Sequence, residues 1–227
     1  MDKRNLLVNP TLACGNPLNY AEDLDMLKEV GNTIIHIDIM DGHYVPNLAF
    51  DLGTIREIRK RYDFLIDVHL MVTNPETYVD ALAEIGVDFI SFHLDATAFS
   101  IRLLRKIKGY GIKAGIVINP SQPVSFFKFI LPHADYVLVM AVEPGFSGQR
   151  FISDTFDKIS ELNSIREAEY LEYLIEVDGG IDEVNCANCI RVGADILVSG
   201  AFGVFQRKNG LKEDYLAFRK IIDREAH

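Results

Sequence analysis

Short apolar runs rich in β-branched residues alternate along this chain with longer stretches whose apolar positions recur at helical spacing. Eight such runs stand out, at residues 6–14, 33–40, 64–72, 89–94, 113–119, 136–142, 174–178 and 196–201. Helical stretches fall at 75–85, 101–109, 152–169 and 212–224. This alternation predicts parallel strands covered by helices, since a parallel pair needs a long crossover and a helix supplies one. Gly31, Gly86, Gly111 and Gly193 each stand just before a strand run, some reading Gly-x-Asp into it. A left-handed residue there ends a helix at low cost. Eight parallel strands close a barrel, so the expected fold is α/β, a (β/α)8 TIM barrel forming a single domain over residues 1–227. An open sheet of the dinucleotide-binding kind would show G-x-G-x-x-G after its first strand. Here that turn reads Leu12-Ala13-Cys14-Gly15-Asn16-Pro17, which disfavours a nicotinamide cofactor.

Length and composition leave that picture standing. The 227 residues approach the roughly 250 of an ordinary barrel, and 48% hydrophobic with 25% charged residues is enough to build a core and argues against disorder. A net charge of −10 disfavours nucleic acid and anionic membranes as partners. It leaves room for an anionic small molecule, because backbone N–H groups hold phosphate without a basic surface. No apolar run is long enough to span a membrane, and Met1-Asp2-Lys3-Arg4-Asn5 lacks the form of a secretion signal, so a cytoplasmic protein is expected. Cys186 and Cys189 form a C-x-x-C inside a helical stretch and read as buried thiols; Cys14 stands alone.

In a barrel the chemistry gathers at the C-terminal ends of the strands. The second run ends in Ile35-His36-Ile37-Asp38-Ile39-Met40, the third in Asp67-Val68-His69-Leu70-Met71, and the seventh in Glu176-Val177-Asp178. Side chains alternate between faces, so His36, Asp38 and Met40 share one side and Ile35, Ile37 and Ile39 the other. Turned inward, His36, Asp38, His69 and Asp178 bring two imidazoles and two carboxylates towards one axis. Four ionisable groups are costly to bury unpaired, and this mixed nitrogen and oxygen set suits Zn²⁺, Fe²⁺, Mn²⁺ or Co²⁺ better than Mg²⁺ or Ca²⁺. His93, also at a strand end, has no assigned role; His43, His133 and His227 read as loop or surface. Met40, Met71 and Met140 fall at three strand ends, where they are either core or an apolar wall.

The last three loops are rich in glycine: Glu143-Pro144-Gly145-Phe146-Ser147-Gly148-Gln149, then Asp178-Gly179-Gly180, then Ser199-Gly200-Ala201-Phe202-Gly203. Late loops of a barrel are a common phosphate site, and glycine lets backbone N–H groups approach the oxygens.

These motifs, together with His43-Tyr44-Val45-Pro46-Asn47, Asn74-Pro75-Glu76 and Asn119-Pro120, resemble those of the ribulose-phosphate 3-epimerase family over nearly the whole chain. The resemblance implies a barrel enzyme with one divalent metal, Zn²⁺ first, on His36, Asp38, His69 and Asp178. Asp38 and Asp178 would be the proton acceptor and donor on opposite faces of a phosphorylated ketose. Phosphate would contact Gly145, Phe146, Ser147, Gly148, Gly179, Gly180, Gly200 and Ala201. Thr11 and His69 would touch the substrate, with Met40, Met71 and Met140 as the wall. A homo-oligomer is also implied. Proton removal beside a ketone gives an enediolate, and its return from the other face inverts the carbon.

Thr11 stands where the family usually has Ser, Ala201 where it has Ser, and Glu143 where the pentulose enzymes often have Asn. These departures resemble the branch acting on D-allulose 6-phosphate, so two substrates are expected in order: D-ribulose 5-phosphate, then D-allulose 6-phosphate. A decarboxylase of the orotidine-phosphate kind would need D-x-K-x-x-D, and Asp38-Ile39-Met40-Asp41 offers no lysine. A non-catalytic sugar-phosphate binder would be expected to lack one of the two carboxylates, and both are present.

Overall fold

The structure is a computed structural model that describes residues 6–225, so the opening segment and His227 lie outside the described residues. Strands β1 (Leu7–Pro10), β2 (Ile34–Asp41), β3 (Leu48–Ala49), β4 (Leu65–Met71), β5 (Phe89–His93), β6 (Lys113–Ile118), β7 (Tyr136–Met140), β8 (Leu174–Asp178) and β9 (Ile196–Ser199) form one sheet. Its order is β1-β9-β8-β7-β6-β5-β4-β2-β3. Every pairing is parallel except that of β3, a two-residue return that pairs Met40 with Ala49. The ring closes where Thr11, just past β1, bridges His36 of β2. This is the expected barrel, and the short β3 was not foreseen.

Helices α1 (Tyr20–Glu29), α2 (Leu52–Arg61), α3 (Val79–Ile85), α4 (Ser100–Gly109), α5 (Thr155–Ala168), α6 (Glu183–Val192) and α7 (Leu211–Glu225) surround the strands. Ile35, Ile37 and Ile39 of β2, with Val137 and Val139 of β7, face outward and are buried beneath this layer. Each such side chain contributes about 1.5–3 kcal/mol on burial. None of the described helices is long and apolar enough to cross a membrane. Cys186 and Cys189 lie buried and unpaired on α6, and burial pushes the Cys186 thiol up to about 12, as suits packed thiols.

Three sequence expectations change in detail. The first strand stops at Pro10, because Thr11 Oγ1 accepts from Ala13 N (3.2 Å) and caps a single 3-10 turn over Leu12–Cys14. The helix expected at 75–85 begins as a 3-10 turn, Pro75–Thr77, and becomes α-helical only after Tyr78. Between β6 and β7 the crossover is made by two 3-10 turns, Val124–Phe127 and Leu131–His133, in a stretch where Pro120, Pro123 and Pro132 withhold helical donors.

The glycine stops behave as expected. Gly86 takes φ +86°, and its N–H reaches the carbonyls of Leu82 (3.0 Å) and Ala83 (3.1 Å). The aspartates that follow such stops have a job of their own. Asp88 Oδ2 accepts from Ile66 N (2.9 Å) and pairs with Arg59 (2.6 Å); Asp195 Oδ2 accepts from Ile175 N (2.8 Å) and pairs with Arg166 (2.5 Å). Asp135 does the same for Ala114 N (2.9 Å) with Lys108 (3.0 Å). Each carboxylate supplies an acceptor to the N–H of the second residue of the neighbouring strand and so ties the helix layer to the barrel floor.

Candidate functional site

Alternation along the strands places His36 and Asp38 of β2, His69 of β4 and Asp178 of β8 inside the barrel. Their nitrogen and carboxylate oxygen atoms all lie within 4.8 Å of one another. His36 and His69 are fully buried and Asp38 is nearly so. His36 Nε2 stands 3.4 Å and His69 Nδ1 3.2 Å from Asp38 Oδ1, while Thr11 Oγ1 donates to Asp38 Oδ2 (2.7 Å).

The electrostatics separate the two carboxylates. Burial pushes Asp38 up, but the adjacent His36 and His69 outweigh it and hold the group well below the usual carboxylate range. Burial and then the charge of Asp38 push Asp178 up to about 6. Burial lowers His36, yet Asp38 and Asp67 outweigh it and leave the imidazole well above its ordinary value.

Beneath this cluster lies a polar layer that sequence reasoning missed. Asp67 Oδ2 meets His36 Nδ1 at 2.5 Å and accepts from Asn9 Nδ2 (2.9 Å); its Oδ1 accepts from Tyr136 OH (3.0 Å). Asn9 also donates to Glu176 Oε1 (2.8 Å), whose carboxyl burial raises well above its ordinary value, as does the nearby Asp67. The signal was present: Asp67 is two residues from His69 and Glu176 two from Asp178, so each shares an inward face with a residue already singled out.

A divalent cation fits the upper cluster. His36 Nε2 is buried and has no hydrogen-bond partner, although its other nitrogen is engaged by Asp67. A carboxylate holding the far nitrogen of an imidazole is the usual support of a metal-binding histidine. Two nitrogens and two carboxylates form a donor set for Zn²⁺, Fe²⁺, Mn²⁺ or Co²⁺.

Above the cluster opens a cleft of about 570 Å³, bordered by solvent and lined by Thr11, Asp38 and Asp178. Gly145, Phe146, Ser147, Gly148, Gly179, Gly180, Gly200 and Ala201 line the same cleft, so the three glycine loops converge there. No Lys or Arg is among the lining residues. Gly180 holds φ +63°, and a Cβ there would lie 2.5 Å from Phe151 N, so only glycine keeps the two loops in contact. Gln149 Nε2 staples its own loop by donating to the carbonyls of Glu143 (2.6 Å) and Phe146 (2.9 Å). Asn47 Nδ2 ties that loop to β3 through Gly145 O (2.8 Å).

Met40, Met71 and Met140 all line the cleft but do not form one wall. Met40 and Met71 pack with Val45, whereas Met140 packs with Val117, Leu138, Val142 and Val198. His36 and His69 lie below the cleft floor. Cys14 lines the cleft, and burial pushes its thiol up to about 11. His43 is exposed and His133 sits half-buried in a 3-10 turn. His93, at the end of β5, is fully buried with its Nε2 2.8 Å from His69 Nε2.

Residues 7–205 match the Ribulose-phosphate 3 epimerase family. The ribulose-phosphate 3-epimerase of Aquifex aeolicus is 40% identical over 203 residues, covering 89% of this chain and 91% of that protein. Its counterpart in Bacillus subtilis is 35% identical over 91% of this chain and 96% of its own length. A thiamine phosphate pyrophosphorylase structure from Pyrococcus furiosus shares the fold alone, with TM-score 0.65, 16% identity and 98% of both chains covered. With motifs, fold and relatives in agreement, the chain belongs to the ribulose-phosphate 3-epimerase family.

Proposed function

We propose that this protein inverts C3 of a phosphorylated ketose, D-ribulose 5-phosphate to D-xylulose 5-phosphate, using two carboxylates and one divalent cation. The cation would be held by His36, Asp38, His69 and Asp178, and when bound it stabilises negative charge on oxygen as a proton leaves the adjacent carbon. The carrying observation is that Asp38 and Asp178, from strands β2 and β8, sit together at the floor of a cleft bounded by three glycine loops.

Asp38 and Asp178 hold and return the C3 proton, one on each face of the substrate plane. Thr11 Oγ1 fixes the orientation of Asp38 through its 2.7 Å hydrogen bond. The two methionine clusters exclude water from the reacting carbon. Gly145, Gly148, Gly179, Gly180, Gly200 and Ala201 turn backbone towards the phosphate, which is how an anion can be held where no Lys or Arg lines the cleft. Phe146 and Ser147 complete the rim.

A second reading keeps the chemistry and lengthens the sugar to D-allulose 6-phosphate, favoured by Glu143 on the cleft lining. Asp178→Asn tests the shared chemistry: C3 exchange with solvent deuterium should fall to background while substrate binding persists. Exchange at the normal rate would remove Asp178 from the proposal. Comparing kcat/KM of the unmodified protein for the two ketoses then separates the readings.

A further inference from the structure

His93 is an imidazole at the cluster for which the proposed reaction has no step. Its Nε2 lies 2.8 Å from His69 Nε2, and the two rings are tilted with centroids 4.9 Å apart. Two imidazole nitrogens that close share one proton, because two N–H groups or two lone pairs would repel. His69 Nδ1 meanwhile faces Asp38 Oδ1 within the four-residue cluster. A cation there needs a lone pair on Nδ1, which leaves the proton of His69 on Nε2, donated to His93.

The surroundings of His93 hold it in place. His93 must then be neutral with its own proton on Nδ1. That atom and Asn119 Oδ1 are both buried without a hydrogen-bond partner. Asn119 Nδ2 donates to Tyr44 OH (2.9 Å), and Tyr44 OH donates to the exposed Asp95 Oδ1 (2.8 Å). The Tyr44 ring packs tilted against His93 at 4.6 Å between centroids. Lys158 Nζ fixes the Asn119 loop by donating to the carbonyls of Asn119 (2.9 Å) and Pro120 (2.5 Å). From Asn119 the donors run outward through Tyr44 to a surface carboxylate.

We infer that His93 is a positioning residue: packed against Tyr44, it accepts the Nε2–H of His69 and so fixes that tautomer and aims the Nδ1 lone pair of His69 at the cation. The inference rests on the four-residue cation site of the proposed function. An acceptor on the far nitrogen raises the basicity of the near one, and losing such a partner costs about 10- to 100-fold in metal affinity.

The test uses Zn²⁺ affinity, read by chelator competition, and histidine ¹⁵N NMR of the Zn²⁺-loaded protein. His93→Phe keeps a ring against Tyr44 but removes the acceptor, and should weaken Zn²⁺ by about 10- to 100-fold. His93→Gln offers an amide oxygen and should recover most of that loss. In the unmodified protein the spectrum should place the His69 proton on Nε2 and that of His93 on Nδ1, a readout that does not depend on either variant folding. His93→Phe binding Zn²⁺ as tightly as the unmodified protein would overturn the inference and leave the cation site intact, whereas a His69 proton on Nδ1 would overturn the inference and remove His69 from the site. Failure of the unmodified protein to bind Zn²⁺ would overturn both.

Discussion

Asp67 shows how much one side chain in the barrel interior carries. It is 1% exposed and gathers His36, Asn9 and Tyr136 at 2.5, 2.9 and 3.0 Å. Barrel interiors are normally filled by branched apolar side chains, so each donor of a polar layer here depends on the few acceptors within reach. Asp67→Ala strands three donors in a space closed to water. Removing one partner of a buried charged pair costs about 3–5 kcal/mol, and that is the loss expected in urea unfolding. A midpoint within error of the unmodified protein would mean the layer tolerates the gap. The inward side of Asp67 was legible from its spacing to His69. Its partners were not, because Asn9 and Tyr136 lie 58 and 69 residues away and only strand pairing brings them together.

At the scale of elements, the Gly-x-Asp pattern was read as capping, and the structure adds what the aspartate does after the glycine. Asp195 accepts the N–H of Ile175, the second residue of β8, and pairs with Arg166, with side chains 11% and 16% exposed; Asp88 does the same for Ile66 of β4 with Arg59, at 35% and 24%. Water can replace the lost acceptor more easily at Asp88. Asp195→Ala should therefore cost more than Asp88→Ala, about 1–3 kcal/mol for the orphaned buried N–H. Equal midpoints in parallel denaturant titrations would rule out this ranking. Strand identity and order were readable because each parallel strand is buried on both faces and reads as an apolar run. Strand ends were less so. Thr11 belongs to an apolar stretch by composition, yet its hydroxyl turns the chain by capping Ala13. The two residues of β3 carry no periodic signal at all, since Leu48 is 76% exposed and Ala49 only half-buried. The four-residue cluster was legible for the opposite reason: polar residues at the ends of apolar runs contradict their surroundings. His93 escaped because a single imidazole at a strand end is ambiguous until its neighbour is known.

Across the whole molecule the same closure that shelters the cluster also buries phenols. Tyr136 stands inside the barrel with its hydroxyl on Asp67, and burial, then the nearby Asp67 and Glu176, push it well above the ordinary tyrosine value. Tyr173 donates to Leu162 O (2.6 Å), and burial pushes it up to about 12; Tyr62, bonded to Asp25 (2.7 Å), is likewise pushed up to about 12 by burial. Unfolded, each titrates near 10. Below that pH both states keep these protons and the contribution to stability is complete. Above it the unfolded chain releases protons that the native fold retains, so the free energy of unfolding falls as pH rises from 10 towards 12. Thermal unfolding followed by tyrosinate absorbance should show the melting temperature dropping above pH 10, with the buried phenols ionising only as the barrel opens. Ionisation of all nine tyrosines near pH 10 in the still-folded protein would contradict the packing described for Tyr136, Tyr173 and Tyr62. Tyr136→Phe separates the contributions: it removes the most deeply placed phenol, and the alkaline fall should become shallower even if the variant is less stable at neutral pH.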